Sequence, residues 1–248
     1  MDPPAAKGAH MRRFVQTFVQ DALPGALPAE VSAALAGMPE RYNIAVRKPA
    51  AVIFDLGDGL RVQAFDWGLI PRWSALPETK YTTVTARLDR APRSRIFRRP
   101  WESRRCAVPM NGYYKWDRSA VPAQPHFIQA RDGEVLFAAG LWDHWEKGQP
   151  EVYSFAVLTH ANAAIPPPLV PDGPVFLPAR RVAEWIAGPR SPMRFLTRTA
   201  QPALEAYPVA RAIARRDADD YTLLEPVDPL EDAIASADSD GALGDEEE

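Results

Sequence analysis

Short apolar alternations punctuated by turn residues dominate this chain, and long helical stripes are few. Ala51–Leu56 and Leu60–Asp66 flank Asp58-Gly59, and a DG pair between two such runs predicts a β-hairpin. Asp132-Gly133 stands in the same way between His126–Ala130 and Glu134–Gly140, and Glu151–Thr159 is a further alternating strand. The segment Arg104–Trp116 reads as a strand, a turn at Asn111-Gly112 and a second strand rich in aromatics. Helical spacing is confined to Pro28–Met38 and to Pro178–Ala187, the latter opened by proline and closed by Gly188. Ile165–Pro174 is a proline-rich loop without helical register. The pattern predicts an α+β fold, a single domain on a mostly antiparallel β core with a few short flanking helices.

Composition narrows the class. At 248 residues and 46% hydrophobic content, the chain can bury one good core. No apolar run approaches the roughly 20 residues of a membrane helix, and the N-terminus has no signal-like apolar segment. The single cysteine, Cys106, excludes an internal disulfide, and four scattered histidines offer no metal spacing. The expectation is a cytoplasmic, monomeric protein with no metal and no cofactor. Small polar residues at 1–10, and the acidic stretch 227–248, read as disordered flanks of a domain spanning 11–226.

The net charge of −3 conceals an asymmetry. Nine acidic residues and no Lys or Arg lie between Asp228 and Glu248, so the rest carries 29 basic against 23 acidic residues. A basic body with an acidic tail suits a nucleic-acid binder. Eight arginines lie between Arg87 and Arg105 against two acidic residues. Clustered arginines neutralise phosphates and release counterions, while Trp73 offers a stacking plate for unpaired bases. Together these favour single-stranded DNA over base reading in a duplex groove.

Arg104-Arg105-Cys106-Ala107-Val108-Pro109-Met110-Asn111-Gly112-Tyr113-Tyr114-Lys115-Trp116 resembles the core signature of the SRAP family, the SOS response-associated peptidase-like proteins that sense abasic sites in DNA. Further resemblances occur in the family's order. They are Arg13-Phe14-Val15-Gln16, Arg41-Tyr42-Asn43-Ile44-Ala45, Trp67-Gly68-Leu69-Ile70-Pro71-Arg72-Trp73, Thr85-Ala86-Arg87 and Ser94-Arg95-Ile96-Phe97. Pro125-His126-Phe127-Ile128, Ala139-Gly140-Leu141-Trp142, Thr159-His160-Ala161-Asn162 and Tyr207-Pro208-Val209 complete the series.

The resemblance implies a definite chemistry. In the family an N-terminal cysteine attacks the abasic aldehyde through its α-amine, and its thiolate closes a thiazolidine ring. A glutamate and a histidine move protons, while an asparagine and an arginine hold the sugar-phosphate. Here the cysteine slot is Met11, followed by Arg12; the glutamate slot is Lys115 and the asparagine slot is Thr85. The family's His-x-Arg-Met-Pro run aligns with Val170-Pro171-Asp172-Gly173-Pro174, placing Val170 in the histidine slot. Arg87 alone stands as expected. A thioether is no nucleophile, so the resemblance points to a protein that binds single-stranded or abasic DNA without crosslinking or autoproteolysis.

Two alternatives stay open. Lys115, or an N-terminal amine, could form a Schiff base with the aldehyde unaided. The chain could also be a protein-interaction module retaining only the fold. By resemblance the DNA face comprises Arg13, Trp73, Arg87, Arg95 and Thr159.

Overall fold

The computed structural model describes residues 11–78 and 83–242, with side chains through Ala237. Among these residues, thirteen strands form two sheets. The first holds β1 (Arg13–Gln16), β2 (Arg41–Ala45), β7 (Gly112–Asp117), β8 (Gln124–Ala130) and β13 (Leu204–Pro208), in the order β13-β8-β7-β1-β2. The second is built on β3 (Pro49–Asp55), β4 (Leu60–Trp67), β6 (Arg105–Met110), β9 (Leu136–Trp145) and β10 (Val152–Ala161). These five pair in the order β10-β4-β3-β6-β9, and β9 pairs back to β10, which closes the ring. Closure removes the open edges that a sheet would otherwise present. Three short strands extend it: β5 (Thr85–Arg87) and β11 (Asp172–Pro174) on β10, and β12 (Phe176–Leu177) on β9. All pairings are antiparallel except those of β10 with β4 and β5.

Alternation along the strands divides the interior into layers. Val52, Phe54, Phe65, Trp67 and Phe155 share one core with Phe14, Ile44, Tyr113 and Ile128 of the five-stranded sheet. The alternate residues Ala51, Ile53, Leu141 and Leu158 lie under α1 (Ala29–Ala36), α2 (Arg98–Ser103), α3 (Val182–Ala187) and α4 (Pro192–Thr197). A third, small core of Val15, Tyr114, Phe127, Val209 and Ile213 covers the outer face of the five-stranded sheet. This is the α+β architecture expected from the pattern, and no helix among the described residues is long and apolar enough to cross a membrane.

Two local expectations need correction. Asp58-Gly59 does join a hairpin of β3 and β4, but Asp132-Gly133 does not join one. There the chain passes from one sheet to the other, β8 to β9, as it also does between β6 and β7, the two strands expected on either side of Asn111-Gly112. Asn111 alone separates β6 from β7, its amide bonded to Thr17 on both sides at 2.7 and 2.9 Å. The second concerns the stretch 227–248, expected to be disordered: Pro229–Ala242 is a helix, α5, and 243–248 lie outside the described residues. Asp228 caps it by accepting from the Leu230 amide at 2.8 Å, with proline at the first helical position and Glu231 and Asp232 in the first turn. Arg211 anchors it through Asp232 at 2.6 Å. The N-terminal stretch 1–10 lies outside the described residues.

Candidate DNA-binding site

The sheets meet where β7, β5 and β11 converge. β10 sets the spacing by pairing Thr159 with Arg87 on one side and with Pro174 on the other. Gly173 lets β11 approach: a Cβ there would lie 2.7 Å from Ile165 Cδ1 and 3.0 Å from the Tyr113 hydroxyl. That closeness lets Lys115 Nζ donate to the Asp172 carbonyl at 2.5 Å. The Asp172 carboxylate accepts from Arg87 at 2.6 Å, and Arg87 also reaches Asp89 at 3.5 Å. Lys115 is only 4% exposed. Burial pulls its amine down to about 8, against an opposing pull from the Asp172 carboxylate.

Around this cluster, three buried polar atoms lack a hydrogen-bond partner among the described residues: Tyr113 Oη, Thr159 Oγ1 and Asn162 Nδ2. Leaving such groups unpaired costs about 1–3 kcal/mol each, so the site is polar beyond what the fold itself satisfies. Burial, with Asp172 nearby, pushes the Tyr113 phenol far up, so it is a neutral donor. Tyr113 and Lys115 share a strand face as the pleat requires, while Tyr114 packs in the opposite core.

The remaining predicted positions are scattered. Met11 is 1% exposed and packs in the main core, contributing no reactive group. Thr85 sits half-buried on β5 beside the cluster, and Val170 is 49% exposed at its rim. Arg13 turns to the other face of β1, donating to Asn43 Oδ1 at 2.6 Å and to the Ala214 carbonyl at 3.0 Å. Trp73 is 43% exposed, and the Arg95 guanidinium lies 4.6 Å above its ring. Trp67 is fully buried.

The arginine run divides. Arg90, Arg93, Arg95, Arg98 and Arg99 face solvent, whereas Arg104 pairs with buried Asp143 at 3.0 Å and Arg105 lies over Trp185. Cys106 is fully buried, and burial pushes its thiol well up. A thiol reagent will leave the native protein unmodified and label one site after denaturation; rapid native labelling would show that Cys106 is reachable.

Sequence reasoning passed over Asp172, although its signal was present. In the aligned run the resemblance sets Asp172 against the family's arginine, as it sets Lys115 against its glutamate.

A family model described as SOS response associated peptidase (SRAP) matches residues 12–216. The chain belongs to the SRAP family. It is 38% identical over 120 residues to the abasic site processing protein YMR114C of Saccharomyces cerevisiae, covering 48% of this chain but only 32% of that protein. The Bacillus subtilis abasic site processing protein YoqW is 26% identical over 179 residues, 69% of this chain and 80% of its own length. YedK, the abasic site processing protein of Escherichia coli, is 24% identical over 224 residues, 87% and 99% of the two chains. A crystal structure of a protein from Bacteroides thetaiotaomicron has the same fold, with a TM-score of 0.71 at 19% identity, covering 88% of this chain and 99% of that one. Homology to several abasic site processing proteins ties this SRAP chain to DNA damage at the level of the family.

Proposed function

We propose that this SRAP protein is a cytoplasmic monomer that binds single-stranded or abasic-site DNA without cysteine-based crosslinking or autoproteolysis. What supports the reading is the buried Lys115 amine bonded to the Asp172 carbonyl beside the Arg87–Asp172 ion pair, together with the burial of Met11, the residue that the resemblance sets in the thiol's slot. A buried thioether supplies neither thiolate nor proton relay. Arg87 remains to hold phosphate, and the solvent-facing arginines with Trp73 supply charge and a stacking surface. Thr159 and Tyr113 add uncommitted hydrogen-bonding groups close by.

The direct test is fluorescence anisotropy with a single-stranded oligonucleotide, an abasic counterpart and a duplex, titrated with salt. Both single strands should bind more tightly than the duplex, with log K falling against log salt at a slope of about −3 for some four to five phosphates. Absence of binding at low salt, or a preference for duplex, would sink the reading.

A second reading has an observation of its own. Lys115 is a buried amine held near 8, and such an amine attacks aldehydes at neutral pH. In this reading the protein forms a reversible Schiff base with the abasic aldehyde, using Lys115 in place of the family's cysteine.

A further inference from the structure

A cavity of about 540 Å³ lies along β2 beside the start of β1, lined by Arg12, Arg13, Arg41, Lys48 and Arg216 against one acid, Asp219. It is separate from the Lys115 cluster. Phe14 shares the main core with Tyr113, whereas its neighbour Arg13 packs on the opposite face of β1 with Asn43 and Ala214.

The acid does little to offset the cations. Asp219 accepts from the Tyr42 and Asn43 backbone amides at 2.6 and 2.8 Å and pairs with Arg41 at 2.6 Å. Its role is to fix the turn against β2. Asn43 completes that hold, donating to the Ala218 carbonyl at 2.7 Å while taking Arg13 on its oxygen. Arg13 therefore meets only neutral oxygens. Arg12, Lys48 and Arg216 are exposed and meet no carboxylate among the described residues. Four positive charges are thus gathered around a preformed cavity whose one lining acid among the described residues, Asp219, is committed to Arg41 and the β2 backbone. Such an arrangement repels itself within a Debye length and attracts polyanions. The volume falls in the range of small-ligand sites and exceeds what a single bound ion needs.

We propose that this cavity is a second anion site that takes successive phosphate groups of a single nucleic-acid strand, outside the Lys115 cluster. The proposal rests on the single-strand binding reading above. None of Arg12, Lys48 and Arg216 was marked as a site by the sequence, since they come from three segments that only the fold assembles.

The test uses the full chain carrying Arg12→Gln, Lys48→Gln and Arg216→Gln together. A control with the same charge loss carries Arg180→Gln, Arg194→Gln and Arg198→Gln, exposed arginines on and beside α3 and α4. Anisotropy with an oligothymidylate across a salt series reads affinity and slope, and calorimetry with pyrophosphate reads a free polyphosphate. The cavity variant should lose at least tenfold in affinity at moderate salt, with a slope smaller by about 2, while the control keeps both. Thermal melting should be unchanged in each. If wild type binds the strand and the cavity variant matches it, the proposal is overturned while the single-strand reading stands. Saturable pyrophosphate binding lost in the variant, with strand affinity and slope intact, would assign the cavity to a free polyphosphate and likewise overturn it. A wild type that binds no strand removes the functional reading itself, and the proposal with it.

Discussion

Borohydride added to this protein with single-stranded DNA carrying one abasic site will trap a covalent adduct, and Lys115→Ala will abolish it. The ring-opened sugar presents an aldehyde carbon. In the amine-based reading the neutral amine of Lys115 adds to it, water leaves, and a C=N bond joins protein to DNA; hydride then reduces that bond to a stable secondary amine. An ordinary lysine is neutral in about one molecule per thousand at pH 7.5, whereas an amine titrating near 8 is neutral in about a quarter. Burial is the main cause of this, since it penalises the ammonium form.

The pH dependence has a definite sign. Below about 8 the folded amine is protonated and has no lone pair to donate, so trapping is weak. It rises through that value and levels off above it; a yield still climbing at pH 10 would mean an unperturbed lysine. Asp172 opposes the downward shift, so Asp172→Asn should move the profile to lower pH. Lys7→Ala should trap like wild type. An adduct surviving in Lys115→Ala would point to the N-terminal amine instead. No adduct in wild type would leave the non-covalent binder, and a heat-stable adduct formed without borohydride would refute the loss of crosslinking.

What the sequence made legible divides along contact range. The β-rich pattern, the Asp58-Gly59 hairpin and the ordered motifs are local features, and each is specified within a few residues. Turn chemistry at Asn111-Gly112 and Asp132-Gly133 was equally local, but it records only that the chain bends. Whether the flanking strands then pair depends on partners far away, and here β7 and β8 found each other while β6 and β9 did the same. The Lys115–Asp172 contact joins residues 57 positions apart, and neither neighbourhood predicts the other. The tail helix was a missed local signal. Asp228, Pro229 and Glu231 form a recognisable helix start, masked by the small, polar and acidic residues that make up the rest of the tail. Its anchor, Arg211, needed the fold.

Gly112→Ala is expected to unfold the protein or destabilise it by about 3 kcal/mol or more, among the largest effects of a single methyl group. Gly112 has no positive φ, so the turn-forming freedom that its sequence context suggests is not what the position uses. Its requirement is space. A Cβ there would lie 2.3 Å from Phe127 Cζ and 2.4 Å from the Ile128 carbonyl oxygen. Phe127 fills the small core behind the sheet and is packed between Tyr114 and Tyr207, so its ring has little room to swing. The carbonyl belongs to β8 itself, so moving it means breaking the β7–β8 ladder that positions Lys115. Gly57→Ala provides the contrast. That residue has φ of +105° but nothing within 4 Å of the added Cβ, so its cost is backbone strain alone, about 1 kcal/mol. Denaturant melts of the two variants against wild type decide the matter. Equal, small losses would show that the β7–β8 approach is soft and that the close packing at Gly112 yields to a methyl group.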